Sequence, residues 1–368
     1  METRPYVSWD LMNNFMIDVF CAYGVPREDA AICADVLLEA DRRGIESHGC
    51  NRFKPIYLDR FDNGTLLPET NIEIVKETET TVVMDAHDGL GMVASHRMME
   101  MLIAKAREHG LAAGTIFNST HYGIAGYWSG MASDAGMIGI TTTNARPSVA
   151  PTFGVEPMMG TNPLTFTMPT DEEFPFNLDC ATSTIQNGKI EYYARSGKDT
   201  PAGLVINKDG STMTDSAEIL REIRSGRAAL LPLGGAGEMT GGYKGYGFTE
   251  VVEILSAALA GGPFMKDLNG KDEDGNPMMY HLGHFFLVIN PEFFMGLETF
   301  KKTAGDINRE LRASELAPGA SRIYTAGEKE YEAWQERKDL GVPVGESVQK
   351  ELIELRDRFG LDYKFPFE

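Results

Sequence analysis

The chain has 368 residues, of which 54 are Asp or Glu and 34 are Lys or Arg, giving a formal net charge of −20. A field of this sign repels nucleic acid and anionic membrane surfaces, so we expect neither as a partner. Hydrophobic residues make up 42% and charged residues 24%, which is ordinary for a globular protein of two or three packed units. A small anionic substrate would need local cations to capture it.

The start of the chain and its cysteines bear on location. Residues 1–5 lead directly into an amphipathic segment without a signal-peptide core, and no apolar run approaches the length that spans a bilayer. The cysteines are scattered without a CxxC pair, which predicts reduced thiols in a cytoplasmic protein and no metal site. They are Cys21, Cys33, Cys50 and Cys180.

Helical patterns fill the first 65 or so residues. Ser8 is a candidate N-cap for a first helix that ends at Gly24, and a second helix runs from Arg27 to Gly44. A third helix is predicted from Arg52 to Asp62. The apolar stripe of the first helix consists of Leu11, Met12, Phe15, Met16, Val19 and Phe20.

The middle of the chain mixes strand and helix patterns. Thr80–Met84, Leu111–Phe117 and Met137–Thr143 are strand candidates, and Met92–His109 is a long helix. The stretch from Ala145 to Gly242 is rich in Pro, Gly and Thr. It therefore predicts strands and functional loops rather than long helices.

The last part returns to helix. Phe248–Leu259 is a predicted helix, Phe285–Ile289 is a short strand, and the chain beyond Pro291 is helical, with charged segments at Glu328–Leu340 and Ser347–Phe359. The two helical ends are expected to pack together as one unit around a mixed α+β middle.

Two short motifs resemble known ligand sites. Gly89–Ala94 reads GxGxxA between a strand and a helix, as in a Rossmann fingerprint. Asp85 and Asp88 would place carboxylates beside a pyrophosphate, so an ordinary turn and helix start is the better interpretation. His281 and His284 form HxxH without the glutamate of a zincin, which favours a structural pair over a metal site.

The segment from Arg43 to Arg52 carries the densest functional signal. Reduction of a 2-oxo acid needs a cation for the carboxylate, a proton donor for the carbonyl oxygen, and a hydride. Arg52 can hold a carboxylate with two hydrogen bonds, His48 can give or accept a proton, and Ser47 can orient the imidazole or bind substrate. The alternative is a capped turn with a surface arginine.

Two further candidates follow strands. His121 comes just after the Leu111–Phe117 strand, where ligand groups often lie, although it could instead be buried beside a helix cap. Arg146 follows Met137–Thr143 and is either a second anion clamp or a surface ion-pair partner.

Candidate nucleotide groups lie later in the chain. Residues 179–183 offer backbone N–H groups and hydroxyls for a ribose or phosphate, or else they form a strand and a hydrogen-bonded turn. Lys244 lies between glycines and tyrosines and could approach a phosphate closely, although most such lysines are only solvated.

Together, several segments resemble the malate/L-lactate dehydrogenase family, which also contains L-sulfolactate, ureidoglycolate and 2,3-diketogulonate dehydrogenases. This family is distinct from the Rossmann lactate and malate dehydrogenases. The matching segments are ADRRGIESHGCNRF, NSTHYGIAGYW, TNARPSVAPTFGVEPMMGTNPLTF, LDCATS, GGYKGYGF, GHFFLVINPEFF and, more weakly, APGAS at 317–321. They cover nearly the whole chain in the family's order.

The resemblance implies an α+β fold of the L-sulfolactate dehydrogenase type, with a largely antiparallel sheet and a dinucleotide site that is not a Rossmann fold. It implies a homodimer with the active site near the subunit interface. Three units are expected: residues 1–75 plus 291–368 as a helical domain, 76–122 plus 240–290 as a dinucleotide-binding domain, and 123–239 as a domain covering substrate and cofactor.

The resemblance also implies roles for particular residues. His48 and His121 match the two histidines that have been assigned the acid–base role in different members. In the second motif this chain has Tyr122 where the family usually has Phe, and near 319 it has Ala320 and Ser321 where Glu usually follows, which puts that contact in doubt. The expected cofactor contacts are Thr161, Asn162, Asp179, Cys180, Ala181, Thr182, Ser183, Thr184, Ile185, Tyr243, Lys244, Pro318 and Gly319.

These observations predict an NAD-dependent oxidoreductase that interconverts a small 2-hydroxy acid and its 2-oxo acid, with NADP as the alternative cofactor. Malate and oxaloacetate are the expected pair, because Arg52 and Arg146 would bind two acid groups, with Tyr57 as a further substrate contact. The alternatives are L-lactate, L-sulfolactate or ureidoglycolate dehydrogenase, an NADPH-dependent piperideine-2-carboxylate reductase, and an inactive cofactor-binding homologue.

Overall fold

The computed structural model describes residues 4–368. A short strand β1 (Tyr6–Val7) precedes helices α1 (Trp9–Ala22) and α2 (Arg27–Arg42). The Ser8 hydroxyl accepts a hydrogen bond from the Leu11 N–H at 3.4 Å, which confirms the predicted N-cap. The predicted apolar stripe of α1 is buried except for Leu11, which is partly exposed.

The predicted third helix is broken into pieces. A 3₁₀ turn (Glu46–His48) leads to α3 (Cys50–Arg52), a π-helical turn (Phe53–Leu58) and α4 (Asp59–Asp62). The prediction of one regular helix is therefore wrong. Pro55 lies inside the run, and because proline has no N–H and crowds the preceding turn, the regular hydrogen-bond ladder cannot continue.

A seven-stranded sheet forms the centre of the molecule, and helices cover it. The elements of this part are β2 (Glu73–Glu77), β3 (Thr81–Asp85), α5 (Gly91–His109), β4 (Leu111–Ser119), α6 (Ala125–Asp134), β5 (Ile138–Thr143), β6 (Leu164–Met168) and β7 (Phe176–Cys180), and a later strand, β10 (Leu282–Ile289), joins the sheet. The strand order is β2-β3-β4-β10-β5-β6-β7, and only β3 and β4 run parallel, so the expected largely antiparallel sheet is confirmed.

The next part of the chain builds a smaller unit with its own apolar cluster, centred on Val149, Val205 and Leu230. Its two strands pair antiparallel, and its two helices are only nine residues long, in agreement with the expected absence of long helices. The elements are α7 (Asn187–Arg195), β8 (Val205–Asn207), α8 (Ser216–Arg224) and β9 (Ala228–Leu230).

The helix α9 (Gly242–Ala257) begins six residues before the predicted start at Phe248. Glycines in a helix interior weaken it, which is why the sequence pattern placed 242–247 in a loop. A Cβ on Gly245 would lie 2.1 Å from the Leu233 carbonyl oxygen. Close packing of this helix on the preceding loop therefore explains the glycine and overrides helix propensity.

The chain ends return to each other. The C-terminal elements are β10 (Leu282–Ile289), α10 (Leu297–Ala313), α11 (Glu328–Arg337), β11 (Val342–Pro343) and α12 (Glu346–Phe359). Strand β11 pairs with β1, and the Phe15 ring packs edge-on against Phe365 at 5.1 Å between centroids. The predicted union of the two helical ends is thus confirmed in outline.

A single apolar cluster joins both chain ends to the helices that cover the sheet, from Val7 through Trp128 to Phe365. The division into three domains with the boundaries given above stays a prediction. Within residues 4–368, no helix is long and apolar enough to cross a membrane.

Candidate active site

The turn that carries Ser47 and His48 is held by a buried carboxylate at the end of α2. Asp41 accepts a hydrogen bond from the Cys50 N–H at 2.8 Å, and burial raises the pKa of Asp41 to about 7. A Cβ on Gly49 would lie 2.1 Å from the Asp41 Oδ1, so only glycine lets this turn approach the carboxylate. In the SHG motif, Gly49 is therefore required by packing, while Ser47 and His48 supply polar side chains.

His48 occupies this turn with one ring nitrogen engaged. Its Nδ1 lies 3.0 Å from the Ser47 hydroxyl oxygen. Burial, and then the nearby positive charge of Arg52, lower the pKa of His48 to about 4. The imidazole is therefore neutral at physiological pH and can accept a proton.

Arg52 is anchored to the same turn. Its Nε donates to the Ser47 carbonyl oxygen at 2.6 Å, and one terminal nitrogen lies 4.0 Å from a Glu191 carboxylate oxygen. The long contact to Glu191 leaves the guanidinium with N–H groups that can bind an anion.

His121 is brought to the same place from the end of β4. Its ring lies 5.8 Å from the His48 ring, centroid to centroid, and the planes differ by 22°. The Gly123 N–H donates to His121 Nδ1 at 3.2 Å, so this nitrogen carries no proton. The Tyr57 hydroxyl, 2.6 Å away, is then also a donor to Nδ1, and the proton of the neutral ring is on Nε2.

The surroundings keep His121 neutral. Burial, followed by the charges of His48, Arg60 and Arg52, lowers its pKa well below the usual value. Gly123, at φ +82°, would place a Cβ 2.3 Å from a Val36 methyl carbon, so this close turn also requires glycine.

His48 and Arg52 border a cleft of about 210 Å³ between the N-terminal helices, the end of β7 and the start of α7, and His121 lies behind His48. Two larger hollows, of about 490 and 530 Å³, contain none of the predicted site residues. The residues that line the cleft are Ile45, His48, Arg52, Gly123, Ile124, Ala125, Thr161, Pro163, Asp179, Ala181, Gln186, Asn187 and Gly188.

Asp179 lies on β7, and its carboxylate contacts the N-terminus of α6. It accepts hydrogen bonds from the Gly126 N–H at 2.7 Å and from the Thr165 hydroxyl at 3.0 Å. Burial raises its pKa, while these two donors act in the opposite direction. Its position at the cleft beside Ala181 brings part of the predicted nucleotide segment next to His48 and Arg52.

The hydroxyls that follow are engaged with the protein backbone. Thr182 donates to the Asn162 carbonyl at 3.0 Å, Ser183 to Ile185 at 2.8 Å, and Thr184 to Leu231 at 3.0 Å. These hydroxyls can therefore only accept a hydrogen bond from a ligand, and the backbone groups are the other contacts on offer. The Cys180 thiol points to the Leu164 carbonyl at 3.8 Å. A nucleotide-binding role stays a prediction for Cys180, Thr182, Ser183, Thr184 and Ile185.

Asn162 ties the sheet to α9. Its side-chain nitrogen donates to the Glu253 carboxylate at 2.7 Å and to the Thr249 carbonyl at 3.1 Å. Its side-chain oxygen is buried and has no protein partner within residues 4–368. Thr161, the preceding residue, borders the cleft directly.

The remaining predicted residues lie outside this cleft. Arg146 is exposed, and so are Tyr243 and Lys244, in the first turn of α9, where the Lys244 ammonium lies 5.7 Å from the Tyr243 ring centroid. Pro318 and Gly319 are exposed in the segment after α10. None of these five residues is among those that line the cleft.

The two motifs that resemble known ligand sites, Gly89–Ala94 and the His281/His284 pair, make hydrogen bonds within the protein instead. At the start of α5, the Leu90 N–H donates to Thr70 at 3.0 Å and the Gly91 N–H to Thr120 at 2.9 Å, so hydroxyls satisfy the amides that a pyrophosphate would need. His281 pairs with Asp88 at 2.6 Å, whereas His284 contacts other residues.

The sequence did not identify three residues at or near the site. Gln186 and Asn187 border the cleft, and no pattern marked them, because two amides in a polar loop are unremarkable. Arg60 acts on His121 from α4. Its spacing of three residues from Tyr57 on a helical run was a usable signal.

A neutral imidazole beside an arginine in a narrow cleft can bind a small anion and exchange a proton with it. The chain matches the model of the malate/L-lactate dehydrogenase family over residues 7–353 and belongs to that family. The resemblance, the fold type and the assignment as an oxidoreductase are thereby confirmed.

Named relatives cover almost the full chain. The malate dehydrogenase of Pyrococcus horikoshii is 42% identical over 98% of this chain and 97% of its own length. The L-sulfolactate dehydrogenase of Methanocaldococcus jannaschii is 38% identical over 94% of this chain and 95% of its own length. The crystal structure of malate dehydrogenase from Entamoeba histolytica superposes with a TM-score of 0.95 at 42% identity, covering 99% of this chain and 100% of that one.

Proposed function

We propose that this enzyme interconverts malate and oxaloacetate with a nicotinamide cofactor. The observation that carries the proposal is the meeting of His48 and Arg52 at one cleft, with His121 stacked 5.8 Å behind His48. The names of the relatives that are 42% identical support malate as the substrate.

His48 is the proposed acid–base group. When its Nδ1–H donates to the Ser47 hydroxyl oxygen, its Nε2 presents a lone pair that can take the proton of the substrate hydroxyl. In the reverse direction the same nitrogen returns the proton to the carbonyl oxygen. The lowered pKa favours the neutral form, which is the form needed to oxidise malate.

His121 has a different proposed task, because its hydrogen bonds fix the other tautomer. With Nδ1 accepting from Gly123 and Tyr57, Nε2–H is a donor that can hydrogen-bond the substrate oxygen while charge develops on it. Tyr57 is then a positioning residue for His121. Its burial at 1% exposure favours this role over the substrate contact expected from the sequence.

Arg52 is the proposed carboxylate clamp. Its Nε bond to the Ser47 backbone fixes the guanidinium relative to His48, so a carboxylate bound to the terminal nitrogens is oriented with respect to the proton acceptor. Removing Arg52 is expected to raise KM more than it lowers kcat.

The cleft fits the carboxamide end of a nicotinamide cofactor. Asn187 borders the cleft, and its side-chain oxygen is buried without a protein donor within residues 4–368, so it can accept from a carboxamide N–H. When bound, the cofactor supplies or takes the hydride at C2 of the substrate. We propose Thr161, Asp179 and Ala181 as neighbouring contacts. NAD is the proposed cofactor, and NADP is the other outcome of the test.

We also propose a cytoplasmic homodimer. All four cysteines are free, which suits a reducing compartment. One face of α9 exposes Phe248, Val251 and Ile254, each about half accessible, and a second copy would cover this apolar surface. Light scattering should give twice the mass of the chain, which is 40.5 kDa. A monomer would remove the dimer from the proposal.

A sulfonated substrate is the second candidate, because a relative that is 38% identical is named L-sulfolactate dehydrogenase. A sulfonate is also an anion, and the same arginine chemistry binds it.

The test of the function is oxidation of NADH and of NADPH with oxaloacetate, pyruvate, sulfopyruvate and piperideine-2-carboxylate. We expect oxaloacetate with NADH to give the highest kcat/KM. A preference for sulfopyruvate or for the cyclic imine would replace the substrate and keep the chemistry. No turnover of any of the four would contradict the proposed activity.

A further inference from the structure

Arg60 is a partly buried cation close to the proposed reaction site. It lies on α4, three residues after Tyr57, and its guanidinium carbon is 4.2 Å from the centroid of the Tyr280 ring. Burial lowers the pKa of Arg60, the nearby Tyr280 and Tyr57 hydroxyls raise it, and the positive charge of Arg146 lowers it further. In the described part of the chain, neither Arg60 nor Arg146 forms an ion pair with a carboxylate.

Two neighbouring arginines that both lack a carboxylate partner are unexpected in a protein with a net charge of −20, because their positive charges repel each other. Many acidic side chains are available, and most partly buried arginines of this chain have one, as Arg337 has Glu46 at 2.6 Å. Positive charge left uncompensated near a cleft is typical of an anion-binding site.

The local architecture brings three segments of the chain to this point. Asn144 accepts a hydrogen bond from the Gly283 N–H at 2.8 Å and donates to the Pro263 carbonyl at 3.4 Å, so it fastens both ends of the segment that carries Tyr280. Arg146 follows two residues later. The Tyr280 ring in turn lies against Arg60 and limits where its planar group can point.

The position relative to the reacting groups is equally specific. The Tyr57 hydroxyl is 2.6 Å from His121, and Arg60 is one helical turn beyond Tyr57. The positive charges of Arg60 and Arg52 both act on His121. An anion bound by Arg60 would therefore be close to the imidazole, but on a separate cation from the one that holds the first carboxylate.

We propose that Arg60, stacked on Tyr280 and assisted by Arg146, binds the acid group of the substrate that is remote from the reacting carbon. This subsite would select dicarboxylates and sulfo-acids over monocarboxylates such as pyruvate. The inference rests on the proposed function, since it assigns the second acid group of the same substrate. It differs from the expectation from sequence, in which Arg146 alone formed the second clamp.

The test compares Arg60→Gln with Arg107→Gln, an equal change of charge at an exposed position near the end of α5. The readouts are kcat/KM for oxaloacetate and for pyruvate, and the Kd of L-malate by calorimetry. Loss of a charge-assisted contact should lower the oxaloacetate-to-pyruvate ratio of kcat/KM by about 10- to 100-fold in Arg60→Gln. In Arg107→Gln the ratio should change by less than about 2-fold.

Two more variants sharpen the result. Arg60→Lys keeps the charge and loses the planar fork, so its ratio should lie between wild type and Arg60→Gln. Arg146→Gln should lower the ratio by about 3- to 10-fold, and it carries the test alone if Arg60→Gln does not fold. An equal loss with both acids, or an unchanged Kd for L-malate, would overturn the subsite.

The wild-type enzyme separates the two levels of the proposal. Turnover of pyruvate without any preference for oxaloacetate or sulfopyruvate would leave 2-oxo acid reduction intact and overturn the second subsite alone. Turnover of neither class of acid would overturn the proposed function and the inference with it.

Discussion

Two histidines of this chain, the partly buried His121 and the fully buried His284, both have a lowered pKa but differ in their hydrogen bonds. Burial lowers the pKa of His284 to about 3 and takes that of His121 well below its usual value. His284 has both ring nitrogens occupied, with Nδ1 2.7 Å from the Thr143 hydroxyl and Nε2 2.8 Å from the Ser119 hydroxyl. In His121 only Nδ1 has partners among residues 4–368.

The difference shows why a shifted pKa alone does not identify a catalytic group. Both imidazoles are neutral, and both lie near the line where β4 meets β10. An imidazole with one nitrogen free of protein partners can hydrogen-bond a substrate, whereas an imidazole whose two nitrogens contact different strands stabilises the sheet. The predictions below alter one side of this comparison at a time.

Among the variants that separate His121 from His284, the largest effect is expected for His121→Gln. Because the variant loses the Nε2–H donor at the substrate oxygen, kcat should fall by about 10²- to 10³-fold. The free energy of unfolding should change by less than about 1 kcal/mol. Steady-state kinetics and chemical denaturation measure the two quantities, and a loss of stability without a loss of kcat would make His121 resemble His284.

His284→Gln should show the opposite pattern. It removes the imidazole that joins two buried hydroxyls: Thr143 still donates to the Asn144 carbonyl, but Ser119 loses its partner, so the free energy of unfolding should fall by about 2–3 kcal/mol. Denaturant titration measures this change. The comparison breaks down if kcat of the folded variant falls as far as in His121→Gln.

The pH dependence of stability gives a second view of His284. Its pKa is about 3 in the folded state, against 6.5 in an unfolded chain, so the unfolded state binds the proton first. Stability should therefore be lost as the pH falls from about 6.5 toward 3. Repeating the denaturant titration across this range should show a shallower loss in His284→Gln, and an unchanged slope would contradict the assignment.

Tyr57→Phe should have an intermediate effect. The ring stays buried and only the hydroxyl that donates to His121 Nδ1 is removed, while the Gly123 N–H remains. We expect kcat to fall by about 3- to 10-fold with KM for oxaloacetate nearly constant, because one orienting hydrogen bond is lost. A rise in KM alone would instead place Tyr57 on the substrate.

Tyr122→Phe should have the smallest effect, and it is favourable. Tyr122 stacks on His284 at 4.4 Å between centroids, and its hydroxyl is buried without a hydrogen-bond partner in the described part of the chain. Removing the hydroxyl should raise the unfolding free energy by about 0.5–1 kcal/mol. A decrease would show that the hydroxyl makes a stabilising hydrogen bond, for which Thr141 is the neighbouring group.

Much of the fold could be predicted because local patterns agreed with tertiary structure. The α1 stripe, the Ser8 cap and the strand at 111–117 are all read from alternation and capping residues. The start of α9 could not be predicted from the sequence. Gly245 is required by its close contact with Leu233, which is twelve residues away, and only the three-dimensional structure shows this contact. Pro55 shows the same limit, since a π-helical turn has no simple pattern.

The candidate site was predicted in part for the same reason. Ser47, His48 and Arg52 lie within six residues, so local spacing placed them together. His121 was a candidate because it follows the Leu111–Phe117 strand, but its tautomer depends on Gly123 and Tyr57, which only the fold brings to one nitrogen. Asn187 gave no local chemical signal that separates it from surface residues, and Arg60 offered only its spacing of three residues from Tyr57.

The most direct test of the account is kcat for oxaloacetate reduction in His48→Gln, measured together with the Kd of L-malate. With the proton-transfer group removed and Arg52 intact, kcat should fall by about 10²- to 10⁴-fold while the Kd stays within about 3-fold of wild type. A kcat within about 3-fold of wild type would contradict the assignment of His48 and of the cleft as the reaction site.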